Sequence, residues 1–484
     1  NVSGDNILSG TVTLEANTRV AVDAGKLTLS GPIAGTGALT KAGGGALALT
    51  GINNNSGSIT VEAGVLSVSA SYTLDGISTT VLSGGTLELL GANDGALSLT
   101  GSGAGGAGAL RTGGSNAAQT GDVTLNGDVH INADGVHLGI EGAISGTGGL
   151  VKIGSGTLLL EGANSFTGDV TINQGAVFIS GGEAVSDGAA VSIAAGASLQ
   201  VADDETVGVI TGGGGIVAEA VLTTTFSGSA TFSGVITGAG GLSKAGTGSL
   251  TLTGANTYTG DTTVQGGILT VNGSLAAASA VTVATDGALG GTGTVGAVTV
   301  NGTLAPGNSP GTLHTGNLAF TGAGKLAVEI AGTNVADHDR VQVTGTVDLG
   351  GVGLEISFLG GFTAATGDSF IIIDNDGVDA VTGTFDGLAE GATFTRAGRT
   401  WSISYIGGDG NDVVLTVQPT PSSEPVSPAP TPPPQPSTDG NDVALLLPGQ
   451  TYYDARPGDD YVAAGPSSTT IYGGPGADTL LGGA

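Results

Sequence analysis

Three stretches of this chain align without a gap. Residues 31–69 read GPIAGTGALTKAGGGALALTGINNNSGSITVEAGVLSVS, 142–180 read GAISGTGGLVKIGSGTLLLEGANSFTGDVTINQGAVFIS, and 234–272 read GVITGAGGLSKAGTGSLTLTGANTYTGDTTVQGGILTVN. Lys41, Lys152 and Lys244 coincide, as do Leu39, Leu150 and Leu242, and Asn53, Asn164 and Asn256. Three of the chain's five lysines thus share one repeat position. A recurring unit of this kind is a module that buries its apolar face only against its neighbours. Within each unit apolar residues alternate, as in Leu250-Thr251-Leu252 and Leu269-Thr270-Val271, between Gly, Asn and Asp. That pattern predicts short strands joined by tight turns. No helical stripe occurs before residue 417. The fold class is all-β, and long-range repetition favours a solenoid over a sandwich or barrel.

Composition agrees. Glycine makes up 94 of 484 residues without a G-X-Y period, which excludes collagen, and aromatics are 4%. Stacked thin layers of Val, Leu and Ile suit such a chain better than one large core. The net charge of −30 excludes phosphate-neutralising surfaces, hence nucleic-acid and anionic-membrane partners, and attracts cations. There are no cysteines, and a stacked scaffold does not need disulfides. No apolar run approaches the ~20 residues of a membrane helix, so direct membrane insertion is not expected. A start at Asn1 reads as a processed part of a longer protein.

The run GxGxLxKxGxGxLxLxGxNxYxG within the three copies, with LGGTGTVGAVTVNGTLAPGNSPGTL at 289–313, resembles the autotransporter-associated β-strand repeat of bacterial surface proteins. The first copy carries Asn55 where the others carry Phe166 and Tyr258, an atypical coil. The resemblance implies a right-handed parallel β-solenoid (β-helix) over residues 1–330, exported to the cell exterior. Residues 331–417 look like the β-rich cap that closes such solenoids, with longer strands FIIID (370–374) and WSISYI (401–406). A Pro-rich linker follows at 418–437, with nine of the 16 prolines. Polyproline geometry makes it a semi-rigid spacer.

Residues 438–484 scan at a period of nine. The nonapeptides STDGNDVAL, LLPGQTYYD, ARPGDDYVA, AGPSSTTIY and GGPGADTLL follow one another in frame. Their sixth positions alternate: Asp442, Thr451, Asp460, Thr469, Asp478. In a parallel roll with two nonapeptides per coil, the three aspartates stack on one side and the threonines on the other. Calcium takes six to eight oxygens, which glycine-rich turns supply as carbonyls and stacked aspartates as carboxylates. Two Ca2+ ions are expected on the aspartate side, held by Gly440, Asp442, Gly458, Asp460, Gly476 and Asp478. This tail resembles the start of a repeats-in-toxin calcium β-roll, from which Ser467, Pro448 and Pro457 depart. GGDGNDVVL at 407–415 fits the nonapeptide but lacks a neighbour eighteen residues away, so a hairpin turn is expected there. DNDG at 374–377 lacks the glutamate of an EF-hand loop and reads as an acidic turn.

Other motifs carry no chemistry. In GNSPG (307–311) the residue after Ser309 is Pro310, which has no N–H for an oxyanion hole. The G-x-G-x-x-G matches precede no helix, and TGAGKL (321–326) lacks the first P-loop glycine. VADHDRV at 335–341 reads as an exposed loop. No enzyme is therefore expected. The function expected is that of a secreted, extracellular structural or adhesive bacterial surface protein: an adhesin, surface-layer or matrix component. Its expected partners are calcium and cell-surface or matrix components, with self-association possible. Secretion by the type I route or as an autotransporter is left open. The alternative is a β-helical polysaccharide lyase or epimerase with a calcium-roll module. Such a groove needs clustered Tyr, His or Lys and a cation, and the sequence shows no such cluster.

Overall fold

The computed structural model describes residues 4–69, 74, 76–376, 378–419, 439–445, 452–454, 456–463 and 470–481. The chain divides into two compact units, 1–419 and 420–484. Residues 420–437 of the expected proline linker lie outside the described residues.

The first unit is a parallel β-solenoid, and the protein is all-β, with about 22 turns. Among the described residues the helical pieces are two single 3-10 turns, Ala104–Gly106 and Val335–Asp337. A turn can carry three short strands, such as Thr18–Ala21, Lys26–Leu29 and Ile33–Gly35. The next turn repeats them as Leu39–Ala42, Ala46–Leu49 and Asn53–Asn55, all paired in parallel at a step of 20 or 21 residues. A period-two strand points alternate residues inward. Val129 and Ile131 are accordingly buried, while His130 and Asn132 are half-exposed. In-register stacking places Ile131 beside Lys152, and Lys152 beside Ile172. One apolar core runs from Leu14 to Val417. Phe166 and Tyr258 are fully buried, and Asn55 at the same repeat position is 5% exposed. The first copy is thus a coil with a small polar residue where the others hold a ring.

The repeated lysine has a structural cause. Lys41, Lys152 and Lys244 are all fully buried. The Lys152 ammonium donates to the carbonyls of Ile153 (2.8 Å), Gly154 (2.7 Å) and Gln174 (3.1 Å). Lys41 does the same to Ala42, Gly43 and Ala63, and Lys244 to Ala245, Gly246 and Gly266. Two acceptors lie in the lysine's own corner and the third in the corner of the next coil. That third carbonyl precedes Gly64, Gly175 or Gly267, each held at a positive φ of 65–68°. At Gly64 a Cβ would fall 2.8 Å from the Lys41 ammonium. The glycine lets the next corner close over the ammonium, which fills all three of its donor sites. Lysine and left-handed glycine together clip one coil to the next.

Part of the acidic surplus serves the turns. Asp122, Asp128 and Asp169 each accept a backbone N–H twenty-one residues on, from Ala143, Gly149 and Ala190 at 3.0–3.3 Å. Asn17 and Asn116 do the same for Ala38 and His137. These side chains satisfy donors that the short strands leave unpaired.

Parallel pairing continues past residue 330, through Gly353–Phe358 and on to Ser369–Asn375. Then the direction reverses. Ser369–Asn375, Asp412–Val417, Arg399–Gly407 and Thr393–Arg396 form successive antiparallel pairs. This end packs around rings: Trp401 and Phe370 are fully buried, 5.7 Å apart, with Phe358 5.8 Å from Trp401. Large rings thus supply the packing at this end, where the solenoid turns use mostly aliphatic side chains.

Candidate functional site

The second unit shows how the expected calcium residues are placed. Val443–Leu445, Tyr461–Ala463 and Thr479–Leu481 stack in parallel, with Val443 opposite Tyr461 and Tyr461 opposite Thr479. On the other side Tyr452–Asp454 pairs with Thr470–Tyr472. Both sides therefore step by eighteen residues. Each stacked strand on the first side is preceded by a Gly-x-Asp turn: Gly440 to Asp442, Gly458 to Asp460, Gly476 to Asp478. Thr451 and Thr469, the expected opposite column, lie outside the described residues.

Neighbouring turns are tied by side chains. Asp460 Oδ1 accepts the Asp442 N–H at 2.7 Å, and Asp478 Oδ1 accepts the Asp460 N–H at 3.0 Å. Asn441 and Asp459 repeat the pattern one residue earlier, accepting from Asp459 and Ala477 at 2.7 Å. Gly458 faces the Gly440 carbonyl, where a Cβ would come within 2.6 Å. The turns thus stack too closely for any side chain at that position. Val462 is the buried centre, with Ala444 and Ile471 packed on it. Asp460 is 2% exposed, and its second oxygen, Oδ2, has no hydrogen-bond partner. An ionised carboxylate oxygen out of water without a donor is costly unless a cation neutralises it. The donor set of carboxylate and carbonyl oxygens is one that suits Ca2+. Among the described residues no three His, Cys, Asp or Glu side chains cluster closely enough to hold a metal unaided, so backbone oxygens must share in any such site.

VADHDRV departs from the exposed loop expected of it. His338 and Asp339 are 3% and 2% exposed. The His338 ring nitrogens lie 3.0 and 3.2 Å from the carbonyls of Asn334 and Ile371, and burial holds its pKa below the usual value. Asp339 accepts the N–H groups of Gly311 and Glu329, and burial pushes its carboxyl up to about 7. The pair staples the GNSPG turn and the cap to the solenoid, with the Phe370 ring edge-on to His338 at 5.4 Å. His130 and His314 are half-exposed and His137 is exposed. Clefts along the solenoid are shallow and lined by turn residues such as Asp204, Glu219 and Asp261. No helix is long and apolar enough to cross a membrane among the described residues.

The passenger-associated-transport-repeat model matches residues 39–68, 150–177 and 242–271. Each match begins at the strand that carries the buried lysine. Over 210 residues, 42% of the chain, the sequence is 36% identical to the adhesin BmaC autotransporter of Brucella suis biovar 1 (strain 1330). The aligned part spans 5% of that relative's length. Three passenger-associated-transport repeats on a parallel β-solenoid, with an autotransporter adhesin among its relatives, make this chain a secreted protein of the bacterial cell surface.

Proposed function

We propose that the chain is an adhesive surface segment, a solenoid that presents turn surfaces outside the cell, with a second unit whose turns are stiffened by Ca2+. The adhesive reading rests on the three passenger repeats together with the adhesin relative. The calcium reading rests on the buried, unpartnered Asp460 Oδ2 within a stack of Gly-x-Asp turns. Gly440, Asp442, Gly458, Asp460, Gly476 and Asp478 would hold the ions, which supply charge neutralisation between successive turns. Scarce cytosolic calcium leaves such a tail unfolded before export, and extracellular calcium then drives its folding.

Beads coated with the full chain test the first point. They bind matrix- or epithelium-coated surfaces in calcium buffer above the level of uncoated beads. Equal binding by both kinds of bead removes the adhesive reading, and shortening of a uronate polymer by the soluble chain replaces it with the lyase reading. For the second point, differential scanning calorimetry of the full chain in up to about 10 mM CaCl2, the weak end for extracellular sites, shows an upward shift of the tail transition. Asp460→Asn abolishes that shift, and a wild-type chain without any shift overturns the calcium assignment.

A further inference from the structure

Two acidic turns with no assigned role, 374–379 and 407–412, are far apart in sequence and meet in the cap. Antiparallel pairing of Ser369–Asn375 with Asp412–Val417 brings the end of one turn beside the end of the other. The Asn375 N–H donates to Asp412 Oδ1 at 2.9 Å. Asn375 Nδ2 donates to the Asp379 carbonyl at 2.8 Å, and Asn411 Nδ2 donates to the same carbonyl at 2.9 Å. The two turns are therefore one hydrogen-bonded unit.

This unit holds oxygens in excess of its donors. Asn375 is fully buried, and its Oδ1 has no partner. Its orientation is settled, because the amide nitrogen must face the Asp379 carbonyl. Asp379 Oδ2 is likewise enclosed and unpartnered. Asp412 is 4% exposed, and its Oδ2 lies against Gly408, where a side chain could not fit. Asp376 and Asp409 stand at the solvent edge of the same turns. Among the described residues, Arg340 is the cation that an ion pair places there, and it is engaged by Asp374 at 2.8 Å. Burial, with Asp374 and Asp409 nearby, holds the Asp412 carboxyl above the usual range. An orphaned amide oxygen and an orphaned carboxylate oxygen each lose their hydration without a protein donor in return, the carboxylate at the greater cost. A hard cation that prefers oxygen ligands removes both penalties at once.

We propose that the cap contains a calcium site of its own, with Asn375 Oδ1, Asp379 Oδ2 and Asp412 as protein ligands. It is independent of the tail, lacks the eighteen-residue stack, and would lock the final hairpin onto the last solenoid strands.

The test is isothermal titration of CaCl2 into the full chain carrying Asp442→Asn, Asp460→Asn and Asp478→Asn, which separates this site from the tail. One ion still binds, with a Kd on the order of 10⁻⁴–10⁻³ M, the range of extracellular modules. Adding Asp379→Asn weakens binding about tenfold or more, while circular dichroism stays unchanged because no hydrogen bond to that carboxylate is lost. Adding Asn375→Asp instead tightens binding, since it supplies a further carboxylate; a purely structural amide would not respond so. Absence of calcium heat in the folded tail variant overturns the proposal. So does binding that ignores both cap substitutions, or equal binding of MgCl2.

Discussion

Lys152 sits in a fully dry corner, yet its three protons meet three carbonyls. Desolvation alone disfavours such a charge, and the carbonyl triad offsets it by replacing the water shell. Lys152→Met keeps the bulk but removes the ammonium from three carbonyls; that of Ile153 still accepts the Ala133 N–H at 3.2 Å, and the loss at Gly154 and Gln174 costs about 1–3 kcal/mol each. Amide exchange across the corners 153–154 and 174–175 accelerates in that variant, while the cap is unaffected. Burial pushes Lys41 and Lys152 from 10.5 down to about 8, with Lys244 moved the same way. The unfolded chain therefore binds these protons up to higher pH than the folded chain does. Their contribution to stability is lowest below about pH 8 and rises as the pH climbs toward 10.5. Tyr258, pushed up to about 12 by burial, opposes this above pH 10, where the unfolded phenol ionises first. The urea midpoint of the full chain thus increases between about pH 8 and about pH 10, and Lys152→Met reduces the rise.

At the scale of the strand and its corner, glycine decides how closely coils approach. Gly175 has φ 67°, and the Gly156 carbonyl lies where its Cβ would go. Gly175→Ala combines left-handed strain with a backbone clash, and costs on the order of 2 kcal/mol or more. Gly135 also has positive φ (71°) but open space around it, so Gly135→Ala carries the strain alone and costs less. Urea denaturation of the two variants ranks them in that order. The period-two alternation that forms these strands is legible in the sequence, and so is the repeat position of the lysine. The repeat phasing of the lysines suits either a packing or an edge position, and the structure decides for packing, although a charged residue in an alternating strand is ordinarily assigned to the solvent face. The supporting signal was present in the left-handed glycine that recurs twenty-three residues later.

Across the first unit each turn contacts its neighbours, so stability behaves as a sum of local terms. Leu199 is fully buried between turns. Leu199→Ala removes about 2–5 kcal/mol. Hydrogen exchange should then show loosening of the strands around Val177 and Ile216, which flank it in register. The aromatic cap around Trp401 keeps its protection. Simultaneous loss of protection in the cap would show that the unit unfolds as a single cooperative block instead.

The amino-acid sequence determined what recurs at fixed spacing: all-β strands, parallel stacking, the three lysine corners and the eighteen-residue step of the tail aspartates. Each of these is a local conformation copied along the chain, so period and turn residues suffice to specify it. The tertiary structure decided what does not repeat. His338 and Asp339 are buried where the cap strands pack on the solenoid, and Asn375 meets Asp412 because the last strand of the cap returns antiparallel beside Ser369–Asn375 across 37 residues. Such contacts depend on pairing register and on the aromatic packing of the cap, neither of which a single turn's sequence carries. Two acidic turns, each too incomplete to read alone, are thereby joined through Asp412 Oδ1 and the Asp379 carbonyl.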